Sequence, residues 1–404
     1  MYTLIKSRQL IADTRQPPIP NGVVLVEGER ILAAGTPASV PVPADAQLLD
    51  CTQDTVMPGL IDSHTHITAN NKYKVPLDTH YTIDYTTAVL RGVGNLRDDL
   101  VTGVTTMRAL GDREDAELRF RDCIDRGEIA GPRLVICIEA LRPSHGTAKF
   151  LGTACDGPDA LRKRIRELFS MGAQCVKLFA SNIQNGERYE DYLASDLTDV
   201  PAYTREELSA AIDEAHRLGM TVAAHAIGGP AMRWAIEAGI DSVEHANLLE
   251  EEDIPYFLKA GTMLSDPNLQ LFFDPDTGFE TLASWQIDWW RPKVIKSREH
   301  TRKYIPQAIR AGVKVALATD STHATLWKEI ELLVHIGATP AEALQAVTVN
   351  SARLLKMDNK VGTIEPGKYA DIISLRGDPL ADISAIRRVN LVMKGGRQYQ
   401  NLVA

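Results

Sequence analysis

The chain has 404 residues, 44% hydrophobic and 24% charged, with a formal net charge of -9 and a pI near 5.6. That is the profile of an ordinary globular chain, and its acidic balance excludes nucleic acid as the main partner. Nothing approaches the apolar run of about 18 residues that spans a membrane, and the opening MYTLIKSRQLIADT lacks the basic-then-apolar form of an export signal. The five cysteines have no CxxC spacing and fit small apolar fillers in a reducing compartment. A cytoplasmic location is expected.

Residues 1–56 carry short apolar runs such as GVVLVEGERILAAG, broken by PPIPNG and PVPAD, which predict strands and turns. Residues 360–404 repeat that character in ADIISLRGDP and VNLVMKGG. Neither end has enough strands for a core of its own. The two are therefore expected to pair in one small β-sandwich.

Residues 57–359 alternate β-rich runs with helical stretches. The strand candidates are GLIDSHTHI, VTTMRAL, RLVICIEA, QCVKLFAS, TVAAHA, SVEHA, TMLSDPN and VKVALATDS, eight in all. Amphipathic helices at 158–172, 204–219 and 230–239 separate successive strands, and each ends at glycine. The fold class predicted is α/β, a (β/α)8 TIM-like barrel beside the composite β-sandwich. A doubly wound open sheet lacks its glycine fingerprint here.

In such a barrel the C-terminal strand ends face the active-site mouth. His64 and His66 lie two apart on the first strand and so share a face. Alone, an HxH pair of this kind is weak evidence. Lys177, inside QCVKLFAS, is costly to bury as a free ammonium. By itself it is a snorkelling or carboxylate-paired lysine, or a neutral amine that adds carbon dioxide to become a bidentate carbamate. His225 and His245 occupy equivalent ends of the fifth and sixth strands, and Asp320 closes the eighth. Four histidines, one lysine and one aspartate on one rim suit divalent ions such as Zn²⁺. Six ligands exceed one tetrahedral ion and fit two metals better.

In this order the six residues, with MPGLIDSHTH and the closing ATPAEALQAVTVNSARLL…VGTIEPGKYADIISL, resemble the amidohydrolase superfamily over nearly the whole chain. Within it the chain looks most like the imidazolonepropionase-related branch, which includes Xaa-Pro and Xaa-Arg/Lys dipeptidases and aryl-amide and phenylurea hydrolases. The resemblance implies that His64, His66 and Asp320 hold the more buried metal and His225 with His245 the more exposed one. It also implies that a carbamylated Lys177 bridges them together with a hydroxide, and that His145 in RPSHGT touches the substrate and stabilises the oxyanion. Asp320 would move the proton from water to the leaving amine. Two departures stand out. Ser144 replaces a glycine beside His145, and Ile227 stands where peptidases of the branch often carry tyrosine.

The expected activity is hydrolysis of an amide-type C–N bond in an N-acyl amino acid, dipeptide or aryl amide. The alternatives are a phenylurea or carbamate hydrolase and, less favoured, a mononuclear deaminase or cyclic-amide hydrolase. Gly228, three residues after His225, replaces the glutamate such deaminases use there. Tyr73, Tyr81 and Tyr85, with Trp285, Trp289 and Trp290, offer an apolar pocket or subunit packing; Tyr73 and Trp289 are the candidate substrate contacts. Of the remaining histidines, His323 alone lies close enough to Asp320 in sequence to reach the site. A homo-oligomer is expected.

Overall fold

The computed structural model describes residues 2–69, 83–149, 151–183 and 200–399. The chain opens with β1 (Tyr2–Leu10), β2 (Ile19–Pro20), β3 (Val23–Glu27), β4 (Arg30–Gly35) and β5 (Gln47–Pro58). There follow β6 (Leu60–Thr65), α1 (Tyr85–Val101), β7 (Val104–Ala109), α2 (Ala116–Asp125), β8 (Arg133–Ile136), β9 (Ala140–Arg142) and β10 (Gly152–Ala154). Next come α3 (Pro158–Met171), β11 (Cys175–Phe179), α4 (Arg205–Arg217), β12 (Thr221–Ala226), α5 (Gly229–Glu237), β13 (Ser242–His245), α6 (Ile254–Ala260) and β14 (Met263–Ser265). The rest is α7 (Leu269–Phe273), α8 (Arg291–Ala311), β15 (Val315–Ala316), α9 (Leu326–His335), α10 (Pro340–Ala346), α11 (Val349–Leu354), β16 (Ile372–Arg376), β17 (Val389–Lys394) and β18 (Arg397–Gln398).

Local sequence sets the helix ends. Pro158 begins α3, and Gly172 ends it at a φ of 99°, a left-handed turn that glycine adopts freely. Thr204 and Glu207 form a reciprocal capping box at the start of α4, and Thr339 with Glu342 does the same for α10.

The two chain ends share one sheet in the order β18-β17-β16-β5-β1-β3-β4, with β2 paired to β1. Between them, β6, β7 and β8 pair in parallel, as do β11 through β15 in sequence. These eight strands fall on the eight segments expected. Gln174 donates its amide to the Ile136 carbonyl (2.8 Å), linking the β8 and β11 strand lines. On the other side Ser63 donates to Leu317 (3.1 Å) and Asp320 to His64 (2.9 Å).

The third expected strand, RLVICIEA, breaks in two. Ile138 has a φ of 74°, left-handed for a β-branched residue, so β8 stops and β9 restarts beyond it.

Ile61, Val135, Cys175, Ala223, Met263 and Ala316, each from a different parallel strand, pack together in one buried cluster. All five cysteines are free thiols, and Cys137 and Cys175 fill this layer as small apolar groups. Lys177 and His225 lie two residues beyond Cys175 and Ala223, on the same strand face and one level higher.

Tyr369 fastens the terminal sheet to β8. The guanidinium carbons of Arg30 and Arg133 each lie 3.8 Å from its ring centroid. Nearby, Lys394 donates to the Gly131 carbonyl at 2.5 Å, and burial followed by the Arg133 charge pushes its pKa down to about 8. The folded state therefore releases this proton earlier than the unfolded chain does. Stability from this group should rise between about pH 8 and 10 as the buried charge is relieved. Urea titrations across that range should show wild type gaining on Lys394→Met; a pH-independent difference would refute the assignment.

Candidate active site

His64, His66, Lys177, His225, His245 and Asp320 converge above the inner layer. His64 and His66 present their Nε2 atoms 3.4 Å apart, and Asp320 Oδ1 lies 3.4 Å from His66 Nε2 and 3.8 Å from His64 Nε2. Lys177 Nζ is 3.3 Å from His64 Nε2. The rings continue as a chain, with His64 and His245 centroids 5.4 Å apart and His245 and His225 centroids 4.8 Å apart.

Backbone geometry helps gather them. Successive strand residues point to opposite faces, yet both Glu244 and His245 approach His64. The φ of 77° at His245 breaks the alternation and turns both inward. Asn182, Asp266, Asn268 and Asp320 also have left-handed φ, between 48° and 69°. Such conformations in non-glycine residues are costly and collect where function demands them.

Burial keeps the imidazoles neutral. It pulls His64 down to about 3 and lowers His66, His225 and His245, while the Lys177 charge adds to the effect. Lys177 is 1% exposed, and burial lowers its pKa too. Among the described residues no carboxylate lies within the 4.0 Å of an ion pair with it. Neutral imidazoles and a carboxylate are donors a divalent cation takes, and burial moves the Lys177 amine towards its ligating form.

Outer contacts orient these donors. His66 Nδ1 meets the Gly111 carbonyl at 2.6 Å, which leaves Nε2 facing the cluster. His245 Nδ1 meets Asn268 Oδ1 at 3.0 Å and the Asp266 carbonyl at 3.1 Å. His64 Nδ1 lies between Glu244 Oε2 (3.2 Å) and Asp266 Oδ2 (3.0 Å). Glu244 is held in turn by Arg108, which donates to its Oε1 at 2.8 Å and to the Ser63 carbonyl at 2.5 Å. Burial pushes Glu244 up, but Arg108 and then His64 outweigh it and hold the carboxyl well below its usual range.

The ligand atoms of His64, His66 and Asp320 lie within 4.8 Å of one another, close enough to share one cation. Buried His64 Nδ1, Glu244 Oε2 and both Asp266 carboxylate oxygens meet no hydrogen-bond geometry. Polar atoms crowded together without satisfying one another fit a cluster that a cation completes.

Several of these residues were not anticipated. Arg108, Glu244 and Asp266 are charged groups at strand ends, the same signal that marks Lys177 and Asp320. Glu117, at the start of α2, accepts amides from Gly111 (2.8 Å) and Ile138 (2.6 Å), fixing the turn whose carbonyl holds His66. Gly111 has a φ of 114°, and a Cβ there would meet the Ala140 nitrogen at 2.9 Å. Glu329 likewise accepts amides from Leu269 (3.0 Å) and Gln270 (2.7 Å), just after Asn268.

His145 is exposed on a turn tied to its surroundings. Ser144 donates its hydroxyl to the Asp156 carboxylate, and Thr147 donates to the Asn182 carbonyl at 3.1 Å. Ser144 thus supplies an anchor that glycine could not. Tyr73 and Tyr81 lie outside the described residues, and Tyr85 donates to Asp115 at 2.7 Å. Trp289 is 41% exposed, whereas its neighbour Trp290 is buried in an apolar cluster with Ile227, Phe272 and Val294. His323 is buried with Nδ1 2.8 Å from Asp99.

Among the described residues no helix is long and apolar enough to cross a membrane. The chain matches the amidohydrolase family model over residues 55–399. It is similar to ochratoxinase of Aspergillus niger, 25% identical over 419 aligned positions covering 95% of this chain and 84% of that one. It is also similar to imidazolonepropionase of Rhizorhabdus wittichii, 27% identical over 88% of each chain. Among solved structures, a Xaa-Pro dipeptidase with methionine bound in its active site superposes with a TM-score of 0.83 at 26% identity, over 99% of this chain and 100% of that one. The chain belongs to the amidohydrolase family and is a hydrolytic enzyme of α/β fold.

Proposed function

We propose that this protein is a binuclear metal-dependent hydrolase that cleaves an amide-type C–N bond in an N-acyl amino acid, dipeptide or aryl amide. The proposed architecture is a (β/α)8 barrel over residues 57–359, with a β-sandwich from residues 1–56 and 360–404. The observation that carries the activity is the buried Lys177, 3.3 Å from His64 and surrounded by four neutral imidazoles and Asp320.

His64, His66 and Asp320 would hold one ion, His225 and His245 the second, and a carbamylated Lys177 both. Zn²⁺ suits these donors. Divalent ions bound there lower the pKa of water towards neutrality and polarise a carbonyl. In its deprotonated form the Lys177 amine would add carbon dioxide, forming an N–C bond and releasing one N–H proton. Asp320 would accept a proton from the attacking water and deliver it to the leaving nitrogen. His145 would donate to the developing oxyanion.

Tyr73 and Trp289, with His145, are the proposed substrate contacts. The apolar cluster around Ile227, two residues beyond His225, supports an aromatic or apolar substituent on the substrate. Likeness to a dipeptidase with methionine in its active site supports an amide bond to an amino acid. A phenylurea or carbamate substrate is the second reading, favoured by the same apolar wall.

Elemental analysis combined with a panel of N-acyl amino acids, dipeptides, anilides and phenylureas tests the proposal. Two ions per chain and release of amine from apolar amides are expected. One ion per chain, with ammonia released from an aromatic amine, would establish a mononuclear deaminase instead. Strict preference for small charged dipeptides would refute the apolar pocket.

A further inference from the structure

Three of the four histidines engage outer groups through Nδ1 and turn Nε2 inward, as described for His64, His66 and His245. His225 is reversed. Its Nε2 lies 3.4 Å from the side-chain oxygen of Asn182.

A short hydrogen-bond path leads to this contact. The amide of Ile227 can only donate, and it does so to Ser181 Oγ at 3.1 Å. Ser181 spends its one hydroxyl proton on Asn182 Oδ1 at 2.7 Å. The structure turns the Asn182 amide oxygen, an acceptor, towards both Ser181 and His225, and an acceptor there favours the tautomer of His225 with its proton on Nε2. Nδ1 is left with the lone pair. Asn182 therefore selects which nitrogen of His225 can bind a cation.

The backbone agrees with a dedicated role. Asn182 is fully buried at a φ of 69°, where glycine would sit without strain and asparagine is among the few side chains tolerated. Its carbonyl also accepts the Thr147 amide, and Ile183 bridges Gly146, so the turn carrying His145 hangs from the same residue.

We infer that Asn182 is a positioning residue that fixes the tautomer of His225 for metal binding through Nδ1, and that it ties the His145 turn to that ligand. This rests on the proposed binuclear centre. Substituting glycine removes the carboxamide while keeping a backbone conformation that glycine readily adopts. Asn182→Asp keeps an acceptor in place.

Nitrogen-15 spectra of histidine-labelled, metal-stripped protein should show His225 protonated at Nε2 in wild type and Asn182→Asp, and a mixture of tautomers in Asn182→Gly. Titration of the stripped full-length chains with Zn²⁺ should show the second ion weakened about 10–100-fold in Asn182→Gly and restored in Asn182→Asp. Wild-type His225 protonated at Nδ1, or an Asn182→Gly protein whose second ion binds as in wild type, overturns the inference. A wild-type chain that takes up only one ion overturns the binuclear proposal; the tautomer spectra still decide the role of Asn182.

Discussion

Lys177→Ala should lose on the order of 10³-fold in kcat/KM and one of two bound ions, while its fold stays intact. The lysine reaches the imidazole cluster from β11, and no carboxylate on that strand can replace it. In the proposed binuclear centre its removal would leave the ligands of the second ion without their shared anion. Folding should suffer little, because an amine buried to 1% exposure, with no carboxylate in ion-pair reach among the described residues, contributes desolvation cost to the native state. The apolar stem is lost, but so is the burden of its polar end. Metal content, kcat/KM and thermal midpoint measured on one preparation separate these effects. Retention of both ions with activity near wild type would refute the bridging role.

The second large effect concerns stability. Arg108 and Glu244 are both fully buried and 2.8 Å apart, and Glu244 leans on His64. Removing one partner of such a pair strands the other charge, which typically costs about 3–5 kcal/mol. Arg108→Met should therefore lower the urea midpoint sharply. Adding Glu244→Gln should recover much of the loss, because the stranded charge is gone. Activity should not recover with it, since His64 Nδ1 then loses one of the two carboxylates that flank it. A double variant no more stable than the single one would show that the pair is not coupled.

The eight parallel strands were legible because each is a short β-rich run bounded by turn residues or by an amphipathic helix. The six candidate ligands were legible for a related reason: a polar residue ending an apolar strand has no structural excuse. That rule flags Arg108, Glu244 and Asp266 equally well. They were passed over because their partners are remote in sequence; Arg108 and Glu244 are 136 residues apart. The break at Ile138 was illegible, since isoleucine is a poor candidate for a left-handed φ and the Glu117 carboxylate that accepts its amide lies on a separate helix. Asn182 gave one faint signal, an asparagine just beyond an apolar strand. Its meaning depends on which way an amide faces, and that is a property of the assembled site. Ile227 was noted as a substitution for tyrosine; its packing against Phe272, Trp290 and Val294 shows that the side chain belongs to the apolar floor beneath the loop after β14.

The shared terminal sheet also dictates an order of events during synthesis. β5 pairs with β1 on one side and with β16 on the other, and β16 lies more than 300 residues downstream. Until the ribosome has released residues 372–376, one edge of β5 around Val56 and Met57 has no partner. An unpaired apolar edge invites association with other nascent chains. Yield in a cell should thus depend on how quickly the last strands arrive. Truncations that remove β16 should aggregate during translation even though every candidate ligand is still present.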